Sequence, residues 1–133
     1  MKILIIGHKG FLGSSLYKYF SGTHELAGVD KEGSFSDILT SQSFDVCINC
    51  SGSSSVQRSF VDPVADYISN VDVVIHLLEA IRCFSPECKF INISSAAVYG
   101  NPEKLPVKET DTLNPISPYG FHKMIAENIL QEY

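Results

Sequence analysis

A β-branched run, Lys2-Ile3-Leu4-Ile5-Ile6, ends at Gly7-His8-Lys9-Gly10-Phe11-Leu12-Gly13, and from Phe11 the apolar residues Phe11, Leu12, Leu16, Tyr19 and Phe20 recur at helical spacing. A strand that turns through glycines straight into a helix leaves few folds open. Gly7 allows the tight turn, Gly10 lets the backbone approach a pyrophosphate, and Gly13 lets the helix pack closely on the strand. The helix N-terminus then presents N–H donors to an anion. The spacing is GxxGxxG rather than GxGxxG, so the glycines alone are a weak signal. Asp30 strengthens it, closing a second strand (residues 25–30) where a carboxylate can accept from a ribose 2′-hydroxyl. The competing reading makes Asp30 a turn residue ahead of Lys31-Glu32-Gly33.

The rest of the chain alternates strand and helix signals, the pattern of a parallel sheet with helical crossovers. A short helix is expected near residues 36–42, capped by Ser34 or Ser36. A buried strand follows over residues 45–50, then a serine-rich loop over residues 51–55. Asp62-Pro63 is expected to open a long helix to about Arg82, with Val64, Tyr67, Ile68, Val71, Val74, Ile75 and Leu78 on its apolar side. Residues 89–93 read as another strand, the prolines between Pro102 and Pro118 as a long irregular loop, and Ser117-Pro118 as the start of a final helix. With 133 residues, 44% of them apolar, the chain suffices for one domain. A net charge of −5 argues against a nucleic-acid partner. No apolar run is long enough for a bilayer or a signal-peptide core, so a cytoplasmic setting is expected. Cys47 and Cys50 lie three apart on a strand, too distant to pair, and Cys83 and Cys88 lack companions at zinc spacing. No metal site is expected.

Two further segments carry chemistry. Tyr119 and Lys123 stand four apart in Tyr119-Gly120-Phe121-His122-Lys123, and on a helix they project from one face. An ordinary phenol is a poor base near neutrality, but an adjacent ammonium favours its phenolate, which makes a workable proton-transfer pair. The plainer reading is a surface helix with an incidental Tyr and Lys. Ser94-Ser95-Ala96-Ala97-Val98-Tyr99-Gly100 follows the strand at residues 89–93. Serines at the carboxyl end of a parallel strand sit where open α/β sheets bind ligands, or are ordinary turn residues.

Together these segments resemble the extended short-chain dehydrogenase/reductase family, which includes the nucleotide-sugar epimerases and dehydratases. The resemblance covers the whole chain. It rests on Gly7/Gly10/Gly13, Asp30, the strand from Asp45 to Cys50 with Ser51-Gly52, Asp62-Pro63 with Asn70-Val71, the segment Ser94 to Gly100, and Ser117 to Lys123. It implies a Rossmann-type doubly wound parallel sheet in three α/β/α layers and a cofactor that is NAD, with NADP possible. Tyr119 becomes the acid or base, Lys123 the cation that eases its ionisation and meets the nicotinamide ribose, and Ser95 the hydroxyl that holds the reacting sugar hydroxyl. Gly7, Gly10, Phe11, Leu12 and Gly13 would hold the pyrophosphate and Asp30 the adenosine ribose. Cys50, Ser51 and Gly52 would line the cofactor, with Asn70 supporting from the long helix.

The resemblance further implies a nucleotide-sugar substrate and a homodimer through the two long helices, Ile125, Ile129 and Leu130 adding to the second one's apolar stripe. A C-terminal substrate domain would lie outside residues 1–133, and the chain cut after the Tyr-Lys helix is expected to be inactive alone. Within the family, dehydratases carry an acid and base just after the catalytic Ser or Thr. Here those positions are Ala96 and Ala97, so the pattern is closest to an epimerase. A reductase, or a nucleotide-binding module without catalysis, is the alternative. Two further departures are noted: Asp37-Ile38 as a possible adenine contact in a shortened segment after Asp30, and Lys9 as a cation for a 2′-phosphate. His122 stands where Ser is commoner and is read as a helix-surface residue.

Overall fold

The computed structural model describes residues 1–133. Lys2–Ile6 forms β1, whose last four residues are buried, as expected of a parallel strand covered on both faces. It pairs in parallel with β2 (Glu25–Val29) on one side and with β3 (Val46–Asn49) on the other. β3 pairs in parallel with β4 (Lys89–Asn92), giving the order β2-β1-β3-β4. The chain therefore changes direction across the sheet between β1 and β3, and such a switch point opens a crevice at the strands' carboxyl ends. The crossovers in order are α1 (Phe11–Phe20), α2 (Phe35–Ser41), α3 (Val56–Val61), α4 (Pro63–Tyr67), a π turn (Ile68–Asp72) and α5 (Val73–Phe84); a 3-10 turn (Ala96–Tyr99) and α6 (Pro118–Ile129) follow β4. This is the α/β Rossmann-type parallel sheet that the sequence implied.

The chain divides into two compact units. Residues 1–51 and 74–93 make the sheet unit, where Leu4, Ile5, Leu39, Cys47, Val74 and Leu77 are essentially inaccessible. Residues 52–73 and 94–133 make the second unit, where Val71, Val98 and Ala126 are buried beside the polar Ser59, Asp66, Asn70 and Lys123. Serine and aspartate caps set its helix starts: Ser55 for α3, Asp62 for α4 and Ser117 for α6, each accepting from a backbone N–H of the first turn.

Two expectations are corrected. The single helix from Asp62 to Arg82 is instead α4, a π turn and α5, and a separate helix, α3, precedes it. The expected apolar side also fails at its N-terminal end, because Val64, Tyr67 and Ile68 are exposed while Asp66 and Asn70 are buried. A π turn holds one more residue than an α turn, so a 3.6-residue wheel drawn through it misassigns the faces. All four cysteines are free, and burial pushes the Cys47 thiol far up. No helix is long and apolar enough to cross a membrane.

Candidate active site

The sheet unit carries the glycine turn and the Asp30 expected to hold a nucleotide. Gly7 has φ +76°, and a Cβ there would lie 2.9 Å from the Ser51 nitrogen. The turn after β1 is thereby pressed against the end of β3. A Cβ on Gly13 would lie only 2.2 Å from the Gly7 carbonyl oxygen, so α1 starts in direct contact with the turn. Gly10 gives α1 no side-chain cap, and Phe11 and Leu12 behind it are exposed. The first-turn N–H donors thus receive no side-chain acceptor from the cap position.

Asp30 sits just past β2 and is tied to the glycine loop: its Oδ2 accepts from the Lys9 N–H at 3.0 Å and its Oδ1 from the Lys31 N–H at 2.9 Å. These backbone bonds, Lys31 first, hold its carboxyl below the ordinary value, so it is an anion near neutrality. It lines a cleft of about 640 Å³ with His8, Lys9, Glu32, Asp37 and Ile38. Asp37-Ile38 therefore reaches the same cleft as Asp30 despite the shortened segment, because Ser34 caps α2 and starts it there. The Lys9 ammonium, the cation considered for a 2′-phosphate, lies 3.7 Å from Glu32, both side chains being largely exposed. At the ends of β3 and β4, Asn49 donates through Nδ2 to Asn92 Oδ1 (2.8 Å) and accepts through Oδ1 from the Ser51 N–H (3.1 Å) and hydroxyl (2.5 Å). This fixes Ser51 beside half-buried Cys50.

The second unit carries the Tyr119 and Lys123 expected to transfer a proton. Tyr119 and Lys123 lie one turn apart on α6, 8% and 5% exposed. Burial pushes the Lys123 ammonium down, and the carboxylates of Glu127 and then Asp66 oppose that. Ser95 caps the 3-10 turn, its Oγ accepting from the Ala97 N–H at 3.2 Å. The same turn meets α6 where Gly120 abuts the Ala97 carbonyl oxygen, which brings the Ser95 turn to the Tyr119 helix. Glu127 accepts from the Ser94 hydroxyl. Asn70 is 2% exposed, donates through Nδ2 to the Asp66 carbonyl at 3.2 Å, and lies against Gly52.

His122 is corrected: it is not a surface residue. Its side chain is 13% exposed and its Nδ1 lies 2.7 Å from Oδ2 of buried Asp66. Asp66, Asn49 and Glu127 were missed from the sequence. A buried-strand pattern containing an asparagine was the available signal for Asn49; Asp66 had none, since it falls in the segment whose face was misassigned.

Three comparisons bear on this arrangement. The profile of the GDP-mannose 4,6 dehydratase family matches residues 28–133. A UDP-glucose 4-epimerase of Lactobacillus helveticus is 33% identical across 98% of this chain and 46% of its own length. Among solved structures, UDP-glucose 4-epimerase from Brucella ovis in complex with NAD superposes with TM-score 0.89 at 29% identity, over 99% of this chain and 47% of that one. RMD from Pseudomonas aeruginosa complexed with NADPH gives 0.83 at 26%, over 98% and 48%. The chain thus spans about half the length of the relatives it matches. With the family profile matched over most of the chain and a 33% identical relative aligned along nearly all of it, the chain belongs to the extended short-chain dehydrogenase/reductase family of nucleotide-sugar epimerases and dehydratases.

Proposed function

We propose that this chain is the dinucleotide-binding part of an NAD-dependent nucleotide-sugar epimerase. The observation that carries the reading is Tyr119 and Lys123 buried on one turn of α6, with the Ser95 turn packed on that helix. The sheet unit fits a dinucleotide: the glycine turn is closed against β3, the α1 N-terminus is uncapped by any side chain, and an anionic Asp30 lines a cleft. A bound nicotinamide dinucleotide supplies the hydride acceptor and donor. The rest falls to the chain. α1 N–H groups bind the pyrophosphate, Asp30 accepts from the ribose, and Asp37-Ile38 borders the adenine. Cys50, Ser51, Gly52 and Asn70 line and support the cofactor. Ser95 holds the sugar hydroxyl, and Tyr119 takes its proton at Oη and returns it, beside the Lys123 charge. Ala96 and Ala97 offer no acid or base for eliminating water, which favours epimerisation over dehydration. A substrate domain beyond residues 1–133 would select the sugar. The four free thiols suit a reducing, cytoplasmic setting.

The deciding assay uses the full open reading frame that encodes residues 1–133, with NAD and a panel of UDP-, GDP-, dTDP- and CDP-sugars followed by proton NMR. Conversion of one sugar into its epimer supports the assignment. Dehydration products or net reduction shift it to the sister chemistries, and NAD binding without turnover of any sugar makes the chain a binding module.

NAD should bind in preference to NADP. Asp30, Glu32 and Asp37 all line the cleft, so a 2′-phosphate would meet like charge, while Lys9 is already beside Glu32. Calorimetric titration should give a dissociation constant for NAD at least about tenfold below that for NADP; the opposite order refutes the Asp30 argument.

A second copy is the proposed partner. In the second unit the exposed apolar residues include Phe60, Val61, Val64, Ile68 and Phe121 on its helices, whereas Ile125, Ile129 and Leu130 are partly buried. An apolar stripe along α3, α4 and the π turn, with Phe121 on α6, fits a symmetric helix-to-helix interface. Light scattering should give a dimer mass, and the pair Val61→Lys with Val64→Glu a monomer mass. A monomer for the parent at every concentration rejects the interface.

A further inference from the structure

The proton-transfer scheme leaves one buried ionisable pair unused. Asp66, on α4, is 3% exposed. Its Oδ2 lies 2.7 Å from Nδ1 of His122 on α6, and the Tyr67 ring meets the imidazole edge-on at 5.4 Å. A carboxylate only accepts, so Nδ1 carries the proton and donates. The backbone carbonyl of Asp66 is also engaged, accepting from the Ser69 hydroxyl at 3.0 Å and from Asn70 Nδ2 at 3.2 Å. Asp66 Oδ1 has no hydrogen-bond partner although it is buried. A carboxylate held this way is costly unless positive charge compensates it. The neighbouring residue on α6 is Lys123, also buried, whose charge burial disfavours and the carboxylates of Glu127 and then Asp66 favour. The other elements packed on α6 carry Arg58 on α3, Asp72 in the π turn and Tyr99 in the 3-10 turn, and Arg58 is exposed.

We propose that Asp66 and His122 are a positioning pair: the imidazole clamps the carboxylate between α4 and α6, which holds the Tyr119–Lys123 helix in register and gives Lys123 a buried countercharge. Either residue alone would be a liability, a carboxylate without a donor or a largely buried imidazole without an acceptor. Together they let a lysine stay charged where solvent is excluded, the state in which it assists a phenol. This purpose rests on the proposed Tyr119–Lys123 chemistry, while the clamp itself does not.

The test is NMR on the isotopically labelled chain, with the Lys123 Cε resonance assigned by its loss in Lys123→Arg. In the parent, long-range proton–nitrogen spectra should show His122 with its proton on Nδ1. In Asp66→Asn the Lys123 titration midpoint should move down. In Asp66→Glu, and in His122→Asn, whose carboxamide N–H can stand in for Nδ1–H, it should stay near the parent's. An unmoved midpoint in Asp66→Asn, with or without a lowered melting temperature, overturns the countercharge, and so does a parent His122 protonated on Nε2 alone. Should Asp66→Asn fail to fold, the parent tautomer and a downward midpoint in His122→Ala decide. None of these readouts needs cofactor or turnover. Their failure leaves the enzyme assignment standing, and an inactive parent enzyme leaves the clamp standing.

Discussion

Tyr119→Phe should reduce turnover by about 10²–10⁴-fold, the usual worth of a positioned acid–base group. The substitution removes one oxygen from a side chain that is 8% exposed and leaves its ring in place, so folding and NAD affinity should change little. The measurement is steady-state kcat and KM in the full-length enzyme, beside an NAD titration of the variant. A fall in kcat with unchanged NAD affinity is the signature of a group that acts on the reacting hydroxyl. Retention of more than a tenth of the parent rate would remove Tyr119 from the mechanism and leave Ser95 and Lys123 without a proton acceptor between them.

The second large effect concerns Gly13. A methyl group there would stand 2.2 Å from the Gly7 oxygen, 2.8 Å from the Gly7 carbonyl carbon and 2.9 Å from the His8 Cα. These are backbone atoms, so no rotamer change relieves the overlap. Gly13→Ala must push α1 away from the turn, which moves the first-turn N–H groups off their aim and costs roughly 1–3 kcal/mol of overpacking strain. NAD binding should be lost in calorimetry while the circular dichroism spectrum stays α/β. Ser14→Ala is the control one residue on, since it removes only an exposed hydroxyl bonded to the Phe11 carbonyl at 3.2 Å. NAD affinity within threefold of the parent in Gly13→Ala would refute the close-packing role.

The sheet was legible because its strands are apolar runs bounded by glycine and loop residues; the Phe11–Phe20 helix was legible in its extent, although Phe11, Leu12 and Tyr19 of its apolar set are exposed and only Leu16 and Phe20 of that set pack on the core. The Ser117 cap was legible for the same kind of local reason, as was the helix start at Asp62, while for the short helix the structure decides for Ser34 over Ser36. What the sequence hid is non-local. The π turn at Ile68–Asp72 leaves no compositional trace, yet it decides that Asp66 and Asn70 face inward. Likewise, nothing near His122 in the chain announces Asp66, fifty-six residues earlier. Pairing across elements is a property of packing, and a buried polar residue looks like a surface one until its partner is placed.

The outward apolar residues of α3, α4 and the π turn also bear on how stability must be measured. Phe60, Val61, Val64 and Ile68 gain only part of their possible burial from intramolecular folding, because they remain 54–86% exposed. On the proposed pairing with a second copy, the free energy of covering them is released on association, and the melting midpoint should then rise with protein concentration. Variants along that stripe should therefore be compared at matched molarity, since a solubilising substitution that looks neutral in dilute solution will look destabilising in concentrated solution.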